Sequence, residues 1–162
     1  MLESLITADQ DAIVVEIDIA APPERVFKAI SDPVETRRRA PELDVYEMDA
    51  RVGGRWRLEM RPPQPYHGFA VIHHEGEIVE CDPPRLLVYT WLANFHHNPQ
   101  QASIVRWELT PIQSGTHVKL THSGLSSEPE ARTDYAGGWP GVLESLRDAL
   151  APGSEAQGKK TA

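Results

Sequence analysis

Three residues have the chemistry and the placement for acid–base catalysis, namely His74, His122 and Tyr135. His74 and His122 each fall on the apolar side of an alternating segment, so both side chains are predicted to point inward. An imidazole or a phenol in a dry cavity could polarise a carbonyl group or move a proton. The alternative is structural, because a single inward histidine is more often a hydrogen-bonded core residue.

The other histidines do not have the spacing of a metal site. His73 and His74 are adjacent on one predicted strand, so they face opposite sides. His96 and His97 lie in a loop, and neither an HExxH motif nor a cysteine pair accompanies them. No metal and no cofactor are therefore predicted, and the loop histidines are expected to be solvated.

Charge and composition exclude several classes of function. The net charge of −8 argues against general nucleic-acid binding, which needs a basic surface. No apolar run approaches the roughly 20 residues that span a bilayer, so membrane insertion is not predicted. The start of the chain lacks the features of a signal peptide, and Cys81 is the single cysteine. A cytoplasmic location is the simplest expectation.

One short basic run stands out in this acidic chain. Arg37, Arg38 and Arg39 are consecutive, at the end of a predicted helix. The run predicts either an anion-binding patch or a solvated helix face, and the solvated face is the commoner case.

The apolar spacing predicts a single α+β domain over residues 1–151, followed by a disordered polar tail over 152–162. Residues 13–19 alternate as a half-buried strand, and two short helices follow over 22–30 and 34–39. About six antiparallel strands come next, over 45–48, 55–61, 69–81, 86–92, 103–110 and 116–124. Alternation does not decide which face of its strand Trp91 occupies.

The last segment, "YAGGWPGVLESLRDAL", combines glycines with an amphipathic helix. Residues spaced four, three and four apart form one apolar stripe, namely Trp139, Leu143, Leu146 and Leu150. Because Pro140 lacks a backbone donor, a break or kink is predicted near Gly137–Pro140, with the glycines letting the backbone pass close to the sheet. Trp139 is then expected to wall or gate a cavity entrance. The alternative is that it fills core.

Five segments, in this order along the chain, carry a resemblance to a known family: "IAAPPERVFKAISDP", "VGGRWRLEM", "GEIVECDPPRLLVYTW", "THVKLTHSGL" and "GGWPGVLESL". They resemble the START/SRPBCC superfamily, specifically the bacterial proteins similar to the C-terminal domain of the activator of Hsp90 ATPase. The resemblance implies a helix-grip fold, in which a curved antiparallel sheet of about seven strands wraps around a long C-terminal helix and encloses a cavity. Members bind lipids, polyketides, hormones or aromatic compounds, and some are enzymes. The resemblance therefore leaves the function open.

In such a fold the inward positions predict a lining that is mostly apolar with a few polar groups, as in small-molecule sites. The predicted ligand-binding residues are Trp56, Leu58, Met60, Ile72, His74, Trp91, Val105, Trp107, Leu120, His122, Tyr135, Trp139 and Leu143. A filled hydrophobic core is the alternative for the same pattern, and the resemblance favours a cavity.

The predicted function is non-catalytic binding of a small hydrophobic or aromatic molecule under the last helix. One alternative is a cyclase- or hydrolase-like enzyme that uses His74, His122 and Tyr135 in the same cavity. Another is interaction with an Hsp90-type chaperone, which rests on the resemblance alone.

The segment over 93–102 is predicted as a surface loop, with a cap on the cavity or a homodimer contact as alternatives. Trp139→Leu is expected to weaken ligand binding more than it lowers stability.

Overall fold

The computed structural model describes residues 2–153, and within them the backbone forms eight strands and three helices. The strands are β1 (Leu5–Ile6), β2 (Ile13–Ile19), β3 (Leu43–Met48), β4 (Arg55–Met60), β5 (Ile72–Asp82), β6 (Leu86–Ala93), β7 (Ser103–Ile112) and β8 (Gly115–Ser123). The helices are α1 (Pro23–Ser31), α2 (Pro33–Arg39) and α3 (Pro129–Ala149). None of the helices described has the length and hydropathy needed to cross a membrane. The predicted tail lies outside the described residues from 154 onward.

All of these strands join one antiparallel sheet in the order β1-β2-β8-β7-β6-β5-β4-β3, which confirms the predicted α+β class. Helices α1 and α2 carry the chain from β2 to β3 at the far edge. The strand that sequence patterning misses is β1, because its two exposed residues are too few to show a period.

One face of the sheet carries the core, and the predicted inward residues of three strands lie on it. The buried positions are Ile72, His74 and Ile78 in β5, Val105, Trp107 and Leu109 in β7, and Val118, Leu120 and His122 in β8. In β6, Tyr89 and Trp91 join the same core, which settles the face of Trp91. The apolar stripe of α3 packs here through Trp139, Leu143 and Leu146.

Helix α3 runs without a break from Pro129 to Ala149, so a break near Gly137–Pro140 is wrong as a prediction, whereas a kink there stays a prediction. Pro140 has no N–H to donate to the carbonyl of Ala136, four residues earlier. The Ser4 hydroxyl donates to that carbonyl instead, at 2.6 Å. The N-terminal segment thus supplies the hydrogen bond that the proline lacks, and the helix continues past it.

The glycines of α3 do not approach the sheet, so that expectation is also wrong. A Cβ atom placed on Gly137, Gly138 or Gly141 would meet nothing within 4 Å. Close backbone approach occurs instead at Gly76 in β5, where a Cβ would collide with the carbonyl oxygen of Thr90. The glycines of α3 leave open space beside the helix.

Candidate functional site

A cavity of about 390 Å³ lies between the core face of the sheet, helix α2 and the middle of α3. Its aromatic wall consists of Tyr46, Tyr89, Trp91, Trp107 and Trp139. Aliphatic surface comes from Leu58, Val142 and Leu146, and polar groups from Thr36, Arg39, Glu42 and Ser145. This composition is typical of a small-molecule site.

The aromatic wall follows from strand alternation and is held by ring contacts. Tyr89 and Trp91 are two residues apart in β6, so they share a face. The Trp107 indole N–H donates to the Tyr89 hydroxyl at 3.0 Å, which satisfies the only polar atom of that indole. The Trp139 ring lies 5.5 Å from Trp91 and 6.0 Å from Trp107, measured between ring centroids. The rings therefore support one another and present apolar surface to the cavity.

Two glycines of α3 form the edge of the cavity. Gly138 and Gly141 line it and are exposed to solvent. Neither adds a side chain, so this edge of the cavity stays clear. Their role is thus to leave room beside Trp139, rather than to bend the helix toward the sheet.

A buried cluster of two histidines and a tyrosine adjoins the cavity wall at Trp91. The Tyr135 hydroxyl lies 3.1 Å from His74 Nε2 and 2.7 Å from His96 Nε2. A phenol can donate to only one of the two imidazoles, so the other must donate to the phenol oxygen. Within residues 2–153, Nδ1 of His74 and Nδ1 of His96 have no hydrogen-bond partner. No group of three His, Cys, Asp or Glu side chains in the same range could hold a metal ion.

The cluster is uncharged at neutral pH because it is buried. Burial lowers the pKa of His74 to about 3, and the nearby His96 adds to the shift. Burial also lowers the pKa of His96, although the carboxylate of Glu128 opposes this. Burial raises the pKa of Tyr135 above its ordinary value. These groups can exchange hydrogen bonds, but none carries a charge.

His122 is fully buried, and both of its ring nitrogens are occupied. The Trp139 indole N–H donates to Nδ1 at 3.1 Å, so the proton of the neutral ring is on Nε2. That N–H donates to Ser103 Oγ at 2.8 Å, and the Ser103 hydroxyl donates to the carbonyl of Trp91 at 2.7 Å. Burial lowers the pKa of His122 well below its ordinary value. Both ring nitrogens of His122 are therefore engaged by neighbouring side chains.

The loop over 94–102 packs inward at its start, so the expectation that His96 is solvated is wrong. His96 is only 8% exposed because its ring contacts Tyr135. The loop is held by Glu128, which is 2% exposed and precedes α3. Its carboxylate accepts the backbone N–H groups of His97 and Asn98, each at 2.8 Å. The loop therefore closes over the His–Tyr cluster.

The predicted ligand-binding residues divide into three groups. Leu58, Trp91, Trp107 and Trp139 line the cavity. Trp56, Ile72, Val105, Leu120 and Leu143 are buried elsewhere in the core, and Met60 is half-buried at the end of β4. His74, His122 and Tyr135 belong to the hydrogen-bonded groups described above and do not line the cavity.

Sequence patterning missed the side of the cavity formed by α2 and β3. Thr36, Arg39 and Tyr46 line it there. Helix α2 has only seven residues and none of them is buried, so no apolar stripe indicates which side faces the cavity. The arginine run was the only signal, and it does not distinguish Arg39 from its neighbours.

An antiparallel sheet with a long C-terminal helix across one face and a cavity between them defines an α+β protein of the helix-grip class. The chain belongs to the family described as Activator of Hsp90 ATPase homolog 1-like protein, whose model matches residues 20–151. The predicted resemblance is therefore confirmed.

Solved bacterial structures share this fold. The protein MLL2253 from Mesorhizobium loti is 27% identical with a TM-score of 0.66, over 86% of this chain and 96% of that chain. The protein Ms6760 from Mycobacterium smegmatis is 20% identical with a TM-score of 0.73, over 93% of this chain and 97% of that chain. No match was found among curated proteins.

Proposed function

We propose that the protein binds a small apolar or aromatic molecule in the cavity between the sheet and α3. The observation that carries this proposal is the aromatic wall around an open volume of about 390 Å³. The lining is mostly apolar, so a molecule bound there would remove this surface from water. Ligand pockets of about 300–1,000 Å³ are usual for small organic molecules.

The enzyme alternative finds partial support in the His–Tyr cluster. His74 and Tyr135 lie within hydrogen-bond distance, as a proton relay requires. Neither residue lines the cavity, and both ring nitrogens of His122 are occupied by core partners. Binding without catalysis therefore accounts for more of the geometry. The chaperone alternative rests on the family description alone.

Two adjacent glycines of α3 allow a matched test of the cavity. A Cβ on Gly138 or on Gly137 would meet nothing within 4 Å, yet of the two only Gly138 lines this cavity. Gly138→Leu should therefore fill the cavity edge, whereas Gly137→Leu should not. Either substitution should raise the free energy of unfolding by about 0.5–1 kcal/mol, because glycine is a poor helix former.

The measurement is titration with 1-aminoanthracene, a neutral apolar dye whose fluorescence rises in apolar surroundings. The wild type and Gly137→Leu should bind the dye with similar affinity, and Gly138→Leu should bind it about tenfold or more weakly, a loss of about 1.4 kcal/mol. Urea unfolding of each variant would exclude loss of fold as the cause. Absence of dye binding by the wild type, or equal weakening in both variants, would contradict the proposal.

A further inference from the structure

Among the three consecutive arginines of α2, only Arg39 lines the cavity. Arg37 and Arg38 are exposed, and Arg39 is half-buried. Nη1 of Arg39 donates to the carbonyl oxygens of Ala29 at 3.1 Å and of Glu35 at 3.4 Å. These carbonyls belong to the last turn of α1 and to α2 itself, so the guanidinium is held in place by backbone.

Two of the three nitrogens of the Arg39 guanidinium have no acceptor among residues 2–153. An arginine has five N–H donors, and the two hydrogen bonds of Arg39 both come from Nη1. Nε and Nη2 make no hydrogen bond within the part of the chain that the structure describes. Burial lowers the pKa of Arg39, but a guanidinium remains charged at neutral pH.

No carboxylate of the described residues forms an ion pair with Arg39. The nearby Glu35 carboxylate is held by Arg25, at 2.8 Å and 3.1 Å. Glu42, the other charged residue on the lining, is exposed, so solvent and salt screen its charge. The cavity lining therefore includes a guanidinium with two nitrogens that the described residues do not use.

We infer that the cavity selects molecules that join an aromatic body to a carboxylate, and that Arg39 binds the carboxylate through its Nε–Nη2 edge. The inference rests on the proposed function. Two parallel N–H donors match the two oxygens of a carboxylate, and such bidentate pairs are stronger than neutral hydrogen bonds. The aromatic wall of Trp91, Trp107 and Trp139 holds the ring body.

The test uses a matched pair of competitors against bound 1-aminoanthracene. 2-Naphthoic acid is an anion at neutral pH, and 2-naphthamide has nearly the same shape without the charge. The wild type should bind the acid about tenfold more tightly than the amide, since hydrogen bonds to charged groups exceed neutral ones. Arg39→Gln should bring the two affinities together. Arg38→Gln, on the exposed face of the same helix, should keep the wild-type ratio.

Three further results determine the outcome. Arg39→Lys keeps the positive charge but lacks the two parallel N–H donors. A partial preference of this variant for the acid would therefore support the assignment even if Arg39→Gln failed to fold. Equal affinity of the wild type for the acid and the amide would overturn this inference and leave the proposed function standing. Failure of the dye and of both competitors to bind would overturn the proposed function, and this inference with it.

Discussion

Replacing His74 with phenylalanine should make the protein less sensitive to acid. The ring of His74 is packed against Trp91, 4.8 Å away between centroids, and phenylalanine keeps an aromatic ring there. The pKa of His74 is about 3 in the folded protein, against an ordinary value of 6.5 when unfolded. Between these two values the unfolded chain binds more protons. The contribution of neutral His74 is therefore present above pH 6.5 and is lost as the pH falls.

The size of this effect follows from the two pKa values. Between the two pKa values, each unit by which the pH falls below 6.5 lowers the free energy of unfolding by about 1.36 kcal/mol. The pKa of His74 is 6.5 in the unfolded chain and about 3 in the folded protein. Lowering the pH from 8 to 5 therefore reduces the free energy of unfolding by about 2 kcal/mol through this residue. The pKa values of His122 and His96 are shifted in the same direction by burial, so the wild type should lose more than His74 alone contributes.

The assay is urea unfolding at pH 8 and pH 5, extrapolated to water. The wild type should lose about 2 kcal/mol more than His74→Phe over this interval. His117→Asn provides a control of opposite sign. Hydrogen bonds to Asp18 and Glu16 raise the pKa of His117, so its contribution is present below pH 6.5 and is lost as the pH rises through the folded pKa. This variant should lose more stability toward pH 5 than the wild type.

The result that would refute this reasoning is an equal loss of stability in the wild type and in His74→Phe. Such a result would mean that His74 takes up a proton in the folded protein near its ordinary pKa. Water would then have access to the His–Tyr cluster, and the loop over 94–102 would not close it in solution.

Two other substitutions test hydrogen bonds that α3 makes. Ser4→Ala should lower the free energy of unfolding by about 1 kcal/mol, because the Ala136 carbonyl loses its donor. In a Pro140→Ala background, where the N–H is restored, the same change should cost nothing, and an unchanged cost in urea unfolding would contradict this. Trp139→Phe keeps a ring on the cavity wall but leaves His122 Nδ1 unpaired, so it should lower stability by about 1–3 kcal/mol. Its affinity for 1-aminoanthracene should exceed that of Trp139→Leu, and equal affinities would argue against a ring contact with the ligand.

Local periodicity determined much of the sheet. The alternation in β7 and β8 places Val105, Trp107 and Leu120 on the buried face, as the sequence predicts. A strand has one side chain per face every two residues, so the pattern of burial is present in the strand itself. The stripe that begins at Trp139 is predicted for the same reason, since a helix repeats every 3.6 residues. The way in which these strands and the helix pack together was predicted from the family resemblance.

Contacts between distant segments decided what periodicity does not show. Ser4 reaches Ala136, and this bond accompanies the continuation of α3 past Pro140. The sequence predicts that His96 lies in a solvated loop. In the structure His96 hydrogen-bonds to Tyr135, and the neighbouring His97 donates its backbone N–H to Glu128, so this part of the loop is buried. A sequence pattern records only whether a residue prefers burial, whereas a hydrogen-bond partner is set by the packing of the whole chain.

The cavity shows the same division. The sequence by itself determined that Trp107 and Trp139 face the interior, and both reach the lining together with Trp91, whose face alternation leaves undecided. Only the tertiary structure shows that Trp56 is buried elsewhere in the core. Only the tertiary structure shows that Arg39 lines the cavity whereas Arg38 is exposed to solvent. The physical reason is that residues of the core and residues of the cavity wall show the same pattern of apolar spacing along a strand or helix. The position of α3 and α2 above the sheet decides where space remains.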